Sequence, residues 1–391
     1  MALVQIPKKL LPSDGRFGSG PSKVPHAALE ALAGSAVIGT SHRQAPVREL
    51  VGSVRAQMRE LFSLPDDYEV VLGVGGSTAF FDAATFGLVR ERSQHLAFGE
   101  FGAKFAKAVA GAPFLDEPTV LRSEPGTHPD PVAEEGIDAY AWAHNETSTG
   151  VMAPVRRVDG AADDALVLID GTSAAGATPL DVTQSDVYYF APQKALASDA
   201  GLWFALMSPA AVARVEEIAA SGRWIPAFFD LTLALENSRK DQTHNTPPVA
   251  SLFWTDHQLR WLLDNGGLPW SVARCEDSSS RLYGWAEQSD YATPFVSDPG
   301  KQSSTVVTID LEGVEAAAVS AALRENGILD VDGYRGLGRN QLRIATFPAI
   351  DPDDVSQLVR CIDHVVEKLS VEKLGVEKLG VEKRGVDHPA E

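Results

Sequence analysis

Lys194 ends the run Asp186-Val187-Tyr188-Tyr189-Phe190-Ala191-Pro192-Gln193-Lys194, and a second apolar run, Ala165-Leu166-Val167-Leu168-Ile169-Asp170, closes on an acid upstream of it. Each run reads as a short buried strand: apolar, rich in β-branched or aromatic residues, and bounded by turn residues. A charged residue at the end of such a strand faces the crevice where α/β proteins bind ligands. One amine and one carboxylate at the mouth of one sheet are the pair that pyridoxal phosphate (PLP) needs. The lysine forms the Schiff base, and the aspartate keeps the pyridinium nitrogen protonated so that the ring acts as an electron sink. Plainer readings exist, because a strand-end Asp also caps turns and a lone Lys is commonly a solvated charge.

Gly73-Val74-Gly75-Gly76-Ser77-Thr78 follows one predicted strand and opens a helix. Glycines let the backbone approach a ligand, and a helix N-terminus offers free N–H groups to a phosphate. The alternative is a tight strand-to-helix turn. The segment is not a dinucleotide fingerprint, because Thr78 stands where the third glycine belongs. Ser41-His42-Arg43, and the loop from Gly333-Tyr334-Arg335 to Arg343, carry the residue type suited to gripping a carboxylate or phosphate. Taken alone, each Arg is more often a solvated charge. Ala143-His144-Asn145-Glu146-Thr147-Ser148-Thr149-Gly150 is dense in short polar groups. It either hydrogen-bonds a phenolic oxygen on a cofactor ring or forms an ordinary capped loop. His-x3-His, Cys-x2-Cys and Gly-x-Ser-x-Gly patterns are absent, so zinc and serine-hydrolase chemistry have no support and no metal is expected.

The elements that must position these residues alternate. Strands are predicted at 69–74, 94–98, 139–143, 165–169, 187–190 and 202–207, with helices at 79–89, 100–110 and 210–220. This alternation implies a mostly parallel sheet covered on both faces. A helix is also expected over 47–62 and an amphipathic one over 252–263. Near residue 270 the pattern changes to a compact α+β unit, with strands at 304–311, 328–331 and 342–345 and helices at 314–326 and 354–369. The expected division is a large domain over 1–269, a small one over 270–369, and a tail over 370–391. The tail repeats Val-Glu-Lys-Leu-Gly with a period of five. That period matches no helical stripe, and recurrent glycine weakens a helix, so a frayed extension is expected.

Bulk properties narrow the partners. A net charge of −19 argues against nucleic acid or an anionic membrane. The chain has two cysteines, Cys275 and Cys361, which excludes a disulfide scaffold and suits a reducing, cytoplasmic setting. The first eleven residues lack a signal-peptide core, and no apolar run is long enough to span a membrane.

Taken in order, Phe17-Gly18-Ser19-Gly20-Pro21, Thr40-Ser41-His42-Arg43, Gly75-Gly76-Ser77-Thr78, Asn145-Glu146-Thr147, Ile169-Asp170-Gly171-Thr172-Ser173, Ala191-Pro192-Gln193-Lys194 and Asn245-Thr246-Pro247-Pro248 form one series, which the Tyr334–Arg343 loop completes. It resembles the phosphoserine aminotransferases, fold-type I PLP enzymes, in the form typical of actinobacteria. The resemblance spans Gly15 to about Ala349, and it rests on order and spacing rather than on any one motif. It implies an α/β fold: a large domain with a mostly parallel seven-stranded sheet plus a smaller C-terminal α+β domain.

The resemblance also implies roles. Lys194 would be the Schiff-base lysine and acid/base, and Asp170 would hold the pyridine N–H. Thr147 would bond the ring oxygen, while Gln193, Ser77 and Thr78 would bind the phosphate. Phe101 matches the stacking aromatic, commonly Trp in the family. Asn245 and Thr246 would reach the phosphate from a neighbouring subunit, which implies a homodimer with shared sites. Arg343 would fork the α-carboxylate. Ser19, His42, Arg43 and Arg335 would also meet the substrate, with His42, Arg43 and Arg335 around its phosphate or the glutamate γ-carboxylate. The implied substrates are L-glutamate and 3-phosphohydroxypyruvate, giving O-phosphoserine and 2-oxoglutarate; 4-phosphohydroxythreonine is a further family substrate.

The chain departs from many relatives at Thr78, where they carry Arg, and at Tyr334, where they carry His. The nearest rival reading is a serine/alanine–glyoxylate aminotransferase. A cysteine desulfurase would need a mobile Cys, whereas Cys275 and Cys361 fall in predicted helices. A nicotinamide dehydrogenase would need the third glycine that this chain lacks. A non-enzymatic small-molecule binding protein on the same sheet is a rival of another class, excluded by a yellow colour that is lost on adding glutamate.

Overall fold

The computed structural model describes residues 4–384, with side chains described to residue 370. Ahead of the main sheet lie α1 (His26–Ala33) and α2 (Ala45–Leu61). Then follow β1 (Glu69–Val74), α3 (Gly76–Gly87), β2 (Ser93–Ala97), α4 (Glu100–Ala110), β3 (Thr119–Arg122) and β4 (Ala139–Ala143). A small hairpin, β5 (Asn145–Glu146) with β6 (Val151–Met152), leads to β7 (Leu166–Asp170), β8 (Val187–Phe190) and β9 (Leu202–Met207). Next come α5 (Pro209–Ala220), α6 (Leu231–Ser238), α7 (Val249–Asp264) and α8 (Gly267–Gln288). The last part holds β10 (Ala292–Pro294), β11 (Val306–Leu311), α9 (Ala316–Glu325), β12 (Gln341–Ala345) and α10 (Pro352–Arg384).

The main sheet has seven strands in the order β1-β9-β8-β7-β4-β2-β3. Every pairing is parallel except the two made by β9. Strands β4, β7, β8 and β9 are buried along their whole length, as expected where helices cover both faces. Alternate residues of these strands supply two separate cores. Val70, Leu72, Trp142, Ile169, Tyr188 and Phe190 face α2 and α7, where Met58, Leu61, Leu252 and Leu259 meet them. Val71, Ala141, Leu168, Tyr189 and Trp203 face α3, α4, α5 and α6 through Phe80, Phe81, Phe105, Val215 and Leu235.

A third core lies around the antiparallel sheet β10-β11-β12. It takes Cys275 and Leu282 of α8, Leu323 of α9, and Leu358 and Ile362 of α10. Val4, Ile6 and Phe17 also pack here, although they precede the main sheet in sequence. Helix α8 crosses the boundary expected near 270. Leu268 and Trp270 pack on the first core, whereas Cys275 and Ala286 pack in the third.

Three sequence expectations need revision. Residues 328–331 form no strand; Leu329 and Asp332 make only isolated bridges, to Arg16 and Leu342. Strand β3 escaped pattern reading because it is a four-residue edge strand of intermediate burial, preceded by Pro118. The backbone of α10 stays helical through Arg384 and so into the repeat, where Leu, Glu and Lys are good helix formers that offset one Gly in five. The rest of the expected tail, 385–391, lies outside the described residues.

One buried charge ties together the starts of β2 and β4. The Asp138 carboxylate accepts from the N–H groups of Arg90, Glu91 and Arg92 at 2.7–2.8 Å and from Arg214 Nη1 at 3.1 Å. Arg214 is 3% exposed. Asp138→Ala leaves that guanidinium with only the half-exposed Glu217, 3.6 Å from its Nε, as a counter-charge, and strips three N–H groups of their acceptor, so the expected loss is about 3 kcal/mol, read from the midpoint shift in urea unfolding.

Candidate active site

Parallel strands end on one edge of a sheet, and four loops carrying polar groups leave β1, β4, β7 and β8 there. The register sets Ala143 beside Asp170 and Asp170 beside Tyr189, so the three strand ends are level. Antiparallel β9 begins at the same edge, with Leu202 opposite Val74. Gly75 donates its N–H to Gly201 O at 2.9 Å, tying the loop after β1 to the start of β9.

A cavity of about 300 Å³ opens at this edge. Ser77, Thr78, Phe101, Thr147, Asp170, Gln193 and Lys194 all line it, together with Asn145 and Thr172. Seven of the predicted site residues therefore meet in one place. Asn145 and Thr172 received no role from the sequence, though both stand inside the motifs that were singled out. Thr172 donates its N–H to Asp170 Oδ1 at 2.9 Å, and its hydroxyl lies 2.6 Å from Ser77 Oγ.

Lys194 is 7% exposed, and its ammonium donates to the Ser19 carbonyl. A Cβ on Gly20 would lie 2.3 Å from Lys194 Nζ, so a side chain there would crowd the amine. Burial lowers the Lys194 amine to about 8, and the nearby Arg343 charge pushes the same way. Asp170 and Glu146 oppose that shift. Burial raises the Asp170 carboxyl, while hydrogen bonds from Thr172 and the charge of Lys194 hold it back.

Arg343, on β12, brings the third core to the cavity. Its Nη1 donates to Thr147 O at 3.2 Å, and its guanidinium lies 5.2 Å from the Tyr334 ring centroid. Burial lowers its pKa, and Arg343 Nε has no partner among the described residues. The remaining predicted residues do not line the cavity. Arg335 is exposed on a short 3-10 turn. His42, Arg43, Asn245 and Thr246 form a separate cluster. His42 Nδ1 lies 3.3 Å from Thr246 Oγ1, and Arg43 bonds His244 O at 3.1 Å, Asn237 Oδ1 at 3.1 Å and Gln242.

The profile of the aminotransferase class-V family matches residues 132–336, which places the chain among the class-V, fold-type I aminotransferases. Within that class it belongs to the phosphoserine aminotransferase family. It is 62% identical to the phosphoserine aminotransferase of Nocardioides sp. (strain ATCC BAA-499 / JS614) over 94% of this chain and 99% of that one. It is 59% identical to a putative phosphoserine aminotransferase of Mycobacterium leprae (strain TN), over 94% and 98%. In fold it is similar to the crystal structure of a phosphoserine aminotransferase from Cytophaga hutchinsonii, with a TM-score of 0.83 at 22% identity, covering 90% of this chain and 99% of that one.

The cofactor of this enzyme class is pyridoxal phosphate, and the cavity fits it. Helix α3 follows Gly75, which offers no side-chain cap, so its first N–H groups are free for a phosphate. Two buried oxygens on lining residues, Asn145 Oδ1 and Gln193 Oε1, have no partner among the described residues, nor does Ser19 Oγ beside Lys194. A buried amine stands near a buried carboxylate. No cluster of His, Cys, Asp and Glu suited to a metal occurs among the described residues, and no described helix is long and apolar enough to cross a membrane.

Only the neutral Lys194 amine has a lone pair to offer a carbonyl. Uptake of added pyridoxal phosphate by the apo-protein is therefore expected to speed up as pH rises, with a midpoint near about 8. Stopped-flow absorbance checks this; a rate flat from below 7 to above 9 would exclude it.

Proposed function

We propose that the protein moves the amino group of L-glutamate to 3-phosphohydroxypyruvate, forming O-phospho-L-serine and 2-oxoglutarate. The observation that carries this reading is a single cavity holding Lys194, Asp170 and the free N-terminus of α3, with Arg343 tied to its wall through Thr147. The close relatives named phosphoserine aminotransferase support the same reaction.

Ser77, Thr78 and Gln193 would hold the cofactor phosphate, Thr147 its ring oxygen, Asp170 its pyridine N–H, and Phe101 one ring face. When bound, the cofactor supplies a sink for the electron pair left at the substrate Cα. Asp170 keeps a negative charge where that sink needs a proton held. Lys194 takes the Cα proton of glutamate and later delivers a proton to Cα of the product amino acid. Its lowered pKa suits both transfers near neutral pH. Arg343 would fork the α-carboxylate and so aim the Cα–H bond at Lys194.

The expected result is turnover with glutamate and 3-phosphohydroxypyruvate, lost altogether in Lys194→Ala. Arg343→Leu is expected to raise KM for glutamate on the order of a hundredfold, because a substrate carboxylate is left unpaired in a buried site. Amination of glyoxylate with no use of the phosphorylated keto acid would transfer the reading to a glyoxylate aminotransferase. The same assay with 4-phosphohydroxythreonine tests the second family substrate.

We also propose a cytoplasmic homodimer with shared sites. Asn245 and Thr246, with His42 and Arg43 bound to the same segment, would serve the neighbour's cavity, and Arg335 would join them around the substrate's distal anion. Two exposed aromatics support this: Trp224 is 77% exposed and Phe228 46%. Phe228 shares a small cleft with Asn245, and its ring would lie 3.5 Å from a Cβ on Gly75. The two free cysteines suit the cytoplasm. The part built on the third core would act as the smaller domain.

Subunit mixing tests the shared sites. Lys194→Ala and the double variant Asn245→Ala/Thr246→Ala are each expected to be poor alone. A heterodimer of the two has one site with wild-type residues from both chains, so co-expression is expected to restore activity. No gain on co-expression would remove the shared site.

A further inference from the structure

Glu146 stands between Asn145 and Thr147, which both line the cavity, yet its own side chain points elsewhere and is 0% exposed. A carboxylate buried that completely must have its lone pairs occupied. Oε2 accepts from the N–H of Phe101 at 3.1 Å and of Gly102 at 3.2 Å. Oε1 accepts from the Ser148 N–H at 3.2 Å and from Ser148 Oγ at 2.7 Å. Ser148 Oγ in turn accepts from the Glu100 N–H at 3.0 Å.

The first three N–H groups of α4 are therefore all held from the β5 loop. The residue before the helix, Gly99, supplies no cap. It has no room for one: a Cβ there would lie 2.2 Å from Glu146 Cγ and 2.5 Å from Ser148 Oγ. Phe101 lies in that first turn, and its ring centroid is 6.0 Å from Lys194 Nζ. A carboxylate at a helix N-terminus is favourable in itself. Here it also fixes where the ring stands.

We propose that Glu146 is a positioning residue: it fastens the first turn of α4 to the loop that carries Asn145 and Thr147, and so sets Phe101 at a fixed spacing from the cavity wall. The two walls facing the cofactor are then one unit rather than two neighbouring loops. This rests on the reading of Phe101 as the ring that covers the cofactor.

Glu146→Gln keeps the shape but turns one acceptor into a donor, which faces either the Ser148 donors or the two α4 N–H groups. The test is a double-mutant cycle with Phe101→Leu, read as the dissociation constant of pyridoxal phosphate for full-length apo-protein by tryptophan fluorescence. The melting midpoint of each apo-protein is read alongside. Glu146→Gln is expected to weaken binding on the order of fivefold in the wild-type background, and less than about twofold when Phe101 is already Leu. Equal weakening in both backgrounds, or a lower melting midpoint with unchanged affinity, overturns the positioning role and leaves the reading of Phe101 intact. If Phe101→Leu alone leaves the affinity unchanged, both fall. Should Glu146→Gln fail to fold, Ser148→Ala takes its place in the cycle. That variant loosens Oε1 and frees the Glu100 N–H while sparing the bonds to Phe101 and Gly102, so a smaller effect that again depends on Phe101 is expected.

Discussion

Burying opposite charges together is the constraint on which this molecule turns. Lys194, Arg343, Asp170 and Glu146 all lie at one edge of the main sheet, largely withdrawn from water, and each acts electrostatically on Lys194. Burial alone would drive the lysine and the two carboxyls toward their neutral forms. Asp170 and Glu146 favour the charged Lys194, while burial and Arg343 oppose it, which leaves the lysine acidic enough to exchange a proton. The helices on both faces, the level strand ends and the strand β12 that carries Arg343 are what hold four such groups at that edge against their preference for solvent.

Much of this was legible in the chain. Apolar runs such as Leu166–Ile169 and Val187–Phe190 announce buried strands because helices cover both faces, so no polar residue interrupts them. A parallel sheet then forces the residues that follow each run onto one edge, which is why Asp170 and Lys194 were found together from spacing. Helical spans were equally clear where an apolar stripe recurs.

Other features were hidden for physical reasons. The edge strand Thr119–Arg122 is short and half wet, so it lacks the pattern of a buried strand. The stretch 328–331 is apolar because Ile328 and Val331 fill the third core, not because it pairs along a strand. The work of Glu146 depends on backbone N–H groups some 45 residues away, and every residue has such a group, so composition carries no trace of it. The motifs of His42, Arg43 and Thr246 are plain in the sequence, yet these residues gather away from Lys194, and their spacing alone gave no sign of it.

The beginning of the chain has one more consequence, for the order of synthesis. Ser13 is anchored to Asp354, Phe17 bonds Leu329 and Ala345 through its backbone, and the carbonyl of Ser19 receives the amine of Lys194. A ribosome makes these first residues long before their partners exist. The main sheet can collapse as soon as β9 has emerged, but the strap that passes over Lys194 must wait for more than a hundred further residues. The Lys194 amine is therefore enclosed last, by a segment made well before its partners.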